Sequence, residues 1–138
     1  MVVSAAIPAF QFENWAVIAL GGVQNKSKVG DMGIDGRIFP PGTKPYDATT
    51  KKGEAASMFA GDWFPIQVKQ MDKVGRPDID KFEAAMLRAN RKKGFFVGFD
   101  FSHDALTECD AFFRRQHTVI VPLTVREILD EHIAQKLV

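Results

Sequence analysis

One cysteine, Cys109, excludes an internal disulfide framework and fits a reducing compartment. The three histidines, His103, His117 and His132, are scattered and lack cysteine partners at ligand spacing, which argues against a zinc site. No GxxxxGK[ST] loop is present to cradle a nucleotide, and no GxSxG elbow to carry a nucleophilic serine. No apolar run approaches the ~18 residues of a membrane-spanning helix. The amino-terminal stretch has no basic region ahead of its short apolar segment, so no signal peptide is expected and a cytoplasmic location follows. Net charge is only +1, so any footprint for a polyanion must be local. Internal repeats and low-complexity tracts are absent as well.

What is present suits one ordinary globular domain. The length of 138 residues is that of a single unit, and 46% of them are hydrophobic. Twelve Phe against one Tyr mark the aromatics as core material. Residues 1–9 read as a flexible lead-in, and Ala9 to Leu20 as a helix with Phe12, Trp15, Ala16, Ala19 and Leu20 inward. Gly21-Gly22 stops it. Val23 to Val29 is a polar connection. Ile34 to Phe39 alternates like a strand, with Asp35 and Arg37 on one face.

Residues 41–62 form a long loop or insertion without periodicity. Its Lys44, Lys51 and Lys52 either face solvent or meet a polyanion such as DNA. A central strand over 63–70 follows, with Ile66 and Val68 inward and Gln67 and Lys69 presented on the other face. Pro77 opens a helix on Ile79, Phe82, Met86 and Ala89, ending in the cations Arg88, Arg91, Lys92 and Lys93. That basic cluster reads as a solvated cap.

Gly94 to Phe101 is a strand buried on both faces. Ser102 caps a helix to Gln116 with Ala105, Cys109, Phe112 and Phe113 inward. Cys109 therefore reads as structural. Thr118 to Leu123 is a further buried strand. Thr124 and Glu127 form the capping box of a last helix, with Val125, Ile128, Leu129 and Ile133 inward. The expected fold is α/β: a hairpin followed by parallel strands, giving a mixed sheet with helices on both faces.

The chemistry-bearing set is Asp35, Gln67 and Lys69, with Glu13 and Asp31 as possible additions. Hard cations prefer oxygen ligands, and Mg²⁺ keeps waters while binding substrate phosphate. Asp35 would supply charge, Gln67 a neutral oxygen and the Val68 carbonyl a third donor. Lys69 would orient or help deprotonate a metal-bound water and contact the phosphate. By periodicity alone, Glu13 is a solvated helix residue. Asp31 sits in a Gly-rich turn that favours a local backbone bond.

The order of Phe12-Glu13, then Gly30-Asp31-Met32-Gly33-Ile34-Asp35-Gly36, then Gln67-Val68-Lys69-Gln70, then a helix and Gly94 to Phe101, resembles the PD-(D/E)xK nuclease superfamily. More narrowly it resembles the Mrr-like restriction endonuclease group, in which Gln often replaces the second acid. The stretch also resembles nuclease-type domains joined to DNA methyltransferases. The resemblance covers roughly residues 10 to 130. It implies a restriction-endonuclease-like fold and a metal-dependent DNA endonuclease using Mg²⁺ or Mn²⁺, in a restriction–modification or DNA-defence setting.

Within it, Asp35 corresponds to the metal ligand, Gln67 to the second ligand, Lys69 to the catalytic lysine and Glu13 to the first-helix acid. Gln70 would line the site. Gln67 in place of an acid removes one negative charge, and the 41–62 insertion interrupts the core hairpin. No sequence-reading module accompanies the core, so a methyltransferase or specificity subunit is an expected partner, and a homodimer would cut two strands. Three alternatives stay open: a catalytically silent DNA-binding or assembly module of a larger restriction/methyltransferase protein, a nuclease for branched DNA, and an α/β interaction protein.

Overall fold

The computed structural model describes residues 8–25, 33–39 and 63–136, with side chains to Glu131. Asp31, Lys44, Lys51, Lys52, the expected lead-in before Pro8, the whole 41–62 insertion and the side chain of Ile133 lie outside the described residues. The elements run α1 Ala9–Ala19, β1 Val23–Gln24, β2 Gly36–Ile38, β3 Phe64–Val68, α2 Arg76–Arg88, β4 Lys93–Gly98, α3 His103–Gln116, β5 Val119–Thr124 and α4 Val125–Lys136.

The strands form one sheet in the order β1-β2-β3-β4-β5. β1–β2 and β2–β3 are antiparallel; β3–β4 and β4–β5 are parallel. The fold is thus α/β with a mixed sheet, as the alternation of helix and strand after residue 76 predicts. β1 is an addition. Two residues are too few for a period-2 pattern to register, yet Val23 pairs with Arg37 and Gln24 with Gly36.

Side-chain parity assigns the two faces. Ile66 and Val68 of β3 and Val97 of β4 pack with Phe12, Ala16 and Val17 of α1 and with Val125 and Ile128 of α4. On the other face Phe96 and Ile120 pack with Ile79, Phe82 and Met86 of α2 and with Ala105, Cys109 and Phe112 of α3. The Phe82 and Phe96 rings meet edge to face at 5.5 Å. β2 lies close under α1 because Gly36 has no side chain: a Cβ there would stand 2.7 Å from Val17.

Ser102 Oγ accepts the Ala105 N–H at 3.0 Å and starts α3 as expected. At the start of α4 the Glu127 N–H donates to Thr124 Oγ1 at 3.1 Å, while the Thr124 N–H donates to Glu127 Oε1 at 2.9 Å. That is the reciprocal capping box.

Three burial expectations change. Phe113 and Leu129 are not inward but about half exposed, while Val17 is fully buried. Each shares its helix with enough other inward residues that the stripe closes without it. β5 is a sheet edge, so only Ile120 in it is buried. No helix among the described residues is long and apolar enough to cross a membrane.

Candidate active site

β2 begins at Gly36, so the β2 side of β3 has no ladder partner beyond Ile66. Asp35 supplies one. Its backbone N–H donates to the Ile66 carbonyl at 2.7 Å, and its Oδ2 accepts the Val68 N–H at 2.7 Å. The carboxylate thereby takes the place of the next strand residue. It is held against the residue that lies between Gln67 and Lys69. Sequence separation gives no hint of this bond across 33 positions, although the alternation in β2 does place Asp35 on the right face.

Gln67 departs from its expected setting. It is only 7% exposed rather than presented to solvent. Its Nε2 donates to the Val68 carbonyl at 3.3 Å. Gly33 covers its other end: at φ +98° a Cβ on Gly33 would stand 2.9 Å from Gln67 Oε1. The glycine is needed there for both conformation and space. β3 ends at Val68, one residue before Lys69. The Lys69 N–H nevertheless donates to the Val97 carbonyl at 3.0 Å, which fixes its backbone beside β4. Lys69, Gln70 and Glu13 are half-buried, the last on α1.

The donor set around Val68 is one carboxylate, one amide oxygen and one peptide carbonyl. All are hard oxygen donors, which suits Mg²⁺ or Mn²⁺. The Val68 carbonyl faces the same side as its N–H, toward Asp35. The Gln67 amide turns its nitrogen to that carbonyl. A half-turn about χ3 would put the amide oxygen, rather than the nitrogen, beside that carbonyl.

No protein-family model matches the chain, and no curated protein does. The site is therefore argued from its own geometry.

A second charged cluster, absent from the sequence-based candidates, joins α2 to α3. Oxygens of Asp80, Glu83 and Glu108 lie within 4.8 Å of one another. Arg115 Nη2 contacts Glu108 Oε2 at 2.8 Å and Glu83 Oε1 at 3.6 Å, and Arg76 Nη2 reaches Glu108 Oε1 at 3.5 Å. Glu83 and Glu108 are both buried.

Burial, then the neighbouring Glu108 carboxylate, pushes the Glu83 carboxyl up to about 8. The hydrogen bond from Glu83, then Arg115, holds Glu108 below the usual carboxylate range. Glu83 Oε2 is sealed from water and has no donor among the described residues. A proton carried by Glu83 and donated to Glu108 satisfies the pair. Two arginines then balance Asp80 and Glu108, so the cluster is a structural tie rather than a cation site. Its signal in the sequence is the position of Glu83 among Ile79, Phe82 and Met86, and of Glu108 among Ala105, Cys109 and Phe112: acids on inward stripes. Burial also raises the Cys109 thiol to about 11, in keeping with an inert core residue.

Proposed function

We propose that the chain is a divalent-metal-dependent deoxyribonuclease that hydrolyses phosphodiester bonds in a cytoplasmic restriction–modification or DNA-defence setting. The observation that supports this best is the Asp35 carboxylate bonded to the Val68 amide, between Gln67 and Lys69. It joins the acid of the Gly30–Gly36 turn to the Gln67-Val68-Lys69 strand, as the resemblance to Mrr-like nucleases requires. Mg²⁺ or Mn²⁺, when bound, would supply an activated water and offset phosphate charge. Asp35, Gln67 and the Val68 carbonyl would hold the ion. Lys69, anchored by its backbone to Val97, would orient the attacking water and contact the phosphate. Glu13 would add the first-helix acid.

One observation favours a second reading, a silent DNA-binding module of a larger restriction or methyltransferase protein. Gln67 is buried and its amide nitrogen is turned to the Val68 carbonyl. Nicking of supercoiled plasmid, methylated and unmethylated, in Mg²⁺ or Mn²⁺ separates the two. Metal-dependent nicking that falls about 10²-fold or more in Lys69→Ala supports the nuclease. Equal background in wild type and variant supports the silent module.

A further inference from the structure

We infer that Asn25 is a positioning residue for the candidate site: its side-chain amide locks the backbone that carries the Asp35 carboxylate, and so aims that carboxylate at the Val68 amide and at the metal. The metal role rests on the nuclease reading; the aim at Val68 does not.

β1 and β2 pair at Val23 with Arg37 and at Gln24 with Gly36. Asn25, the next residue, continues that contact in two ways. Its backbone N–H donates to the Asp35 carbonyl at 3.0 Å. Its Nδ2 donates to the Ile34 carbonyl at 2.9 Å. A primary amide offers the same kind of donor as a peptide N–H, so the side chain extends the ladder past Gln24, where β1 ends.

The effect falls on Asp35. In a regular antiparallel strand the N–H and C=O of one residue point to the same neighbour. At Asp35 they part. The N–H goes to the Ile66 carbonyl of β3 at 2.7 Å, and the C=O goes to Asn25 on the β1 side. The peptide unit between Ile34 and Asp35 is thus held at both ends, by Ile66 and by Asn25 Nδ2. The unit after Asp35 is held at its carbonyl by the Asn25 N–H. Peptide units are planar, so the two that meet at a Cα set its φ and ψ, and with them the direction of the Cα–Cβ bond. That bond carries the carboxylate whose Oδ2 accepts the Val68 N–H at 2.7 Å. Gly33, at φ +98°, stands just ahead of this unit and lends the turn no stiffness of its own. Asn25 is half-buried, so water is a poor replacement for its donor.

Asn25→Ala removes the side-chain donor and keeps the backbone one. Amide hydrogen exchange should rise about tenfold at Val68, whose N–H depends on the Asp35 carboxylate. It should stay at the wild-type rate at Lys69, whose N–H is bonded to Val97 on the opposite side of β3. Mn²⁺ affinity, read from the free-ion EPR signal at a temperature where both proteins are folded, should fall about tenfold. Should the Ala variant fail to fold, Asn25→Asp keeps the shape and replaces the donor by an acceptor; Val68 exchange should again rise with Lys69 unchanged. An unchanged Val68 rate overturns the inference, because the clamp then does not hold the carboxylate. Equal acceleration at Val68 and Lys69 overturns it too, because Asn25 then serves general stability alone. So does wild-type Mn²⁺ affinity in an Ala variant whose Val68 exchange has risen. Acceleration confined to Val68, in a protein that binds no Mn²⁺ even as wild type, leaves Asn25 as the residue that aims Asp35 and removes the nuclease reading.

Discussion

Asp35 Oδ2 accepts the Val68 N–H at 2.7 Å, so one carboxylate both completes the β-ladder and stands at the centre of the candidate site. Structure and chemistry are separable here. Asp35→Ala strands a ladder amide and should cost about 1–3 kcal/mol in urea unfolding, besides abolishing metal-dependent nicking. Asp35→Asn keeps an oxygen acceptor for Val68 and removes the charge. It should melt close to wild type and still fail to nick. An Asn variant that nicks normally would remove Asp35 from the chemistry.

Gly33 should tolerate no side chain. Its positive φ and the 2.9 Å approach to Gln67 Oε1 act together. Gly33→Ala should destabilise the protein by about 1–3 kcal/mol and shift the Gln67 side-chain amide resonances. A stable variant with unmoved Gln67 signals would show that the turn does not constrain the glutamine.

Gln67→Glu restores an acid where the resemblance expects one, but at a 7% exposed position. Without metal the new carboxylate is buried with little water, so the variant should lose about 1–3 kcal/mol. Mg²⁺ should then raise its melting temperature more than that of wild type, because binding to the folded state adds stability. Equal Mg²⁺ responses in the two proteins would place the ion elsewhere.

The Glu83–Glu108 pair gives a pH dependence of definite sign. The Glu83 carboxyl is raised in the folded state from 4.5 to about 8. Between those values the folded protein holds more protons than the unfolded chain, so stability falls as pH rises. Glu108, held low, acts in the opposite sense: its contribution is lost as pH falls through its folded value. The pair should thus favour folding most near pH 5, and the melting temperature should decline from there to about pH 8. Glu83→Gln mimics the protonated acid and should flatten that decline, with a gain of about 1–3 kcal/mol at alkaline pH. Thermal melts across this range check it; an unchanged slope in the variant would refute the shared proton.

Much of this protein follows from local chemistry. The helix starts at Ser102 and Thr124, the parallel strands between the later helices and the inward stripes of Phe82, Met86, Ala105 and Phe112 are all legible, because capping and periodicity act over a few residues. So is the sheet face that Asp35 shares with Gln67, which strand alternation gives. Tertiary structure alone decided three things. It closed the Asp35–Val68 bond, which depends on β2 beginning only after Asp35, at Gly36. It buried Gln67 under Gly33, although strand parity gave only its face and not what covers that face. It brought Glu83 to Glu108, a pairing between elements whose separation along the chain carries no record of their distance in space.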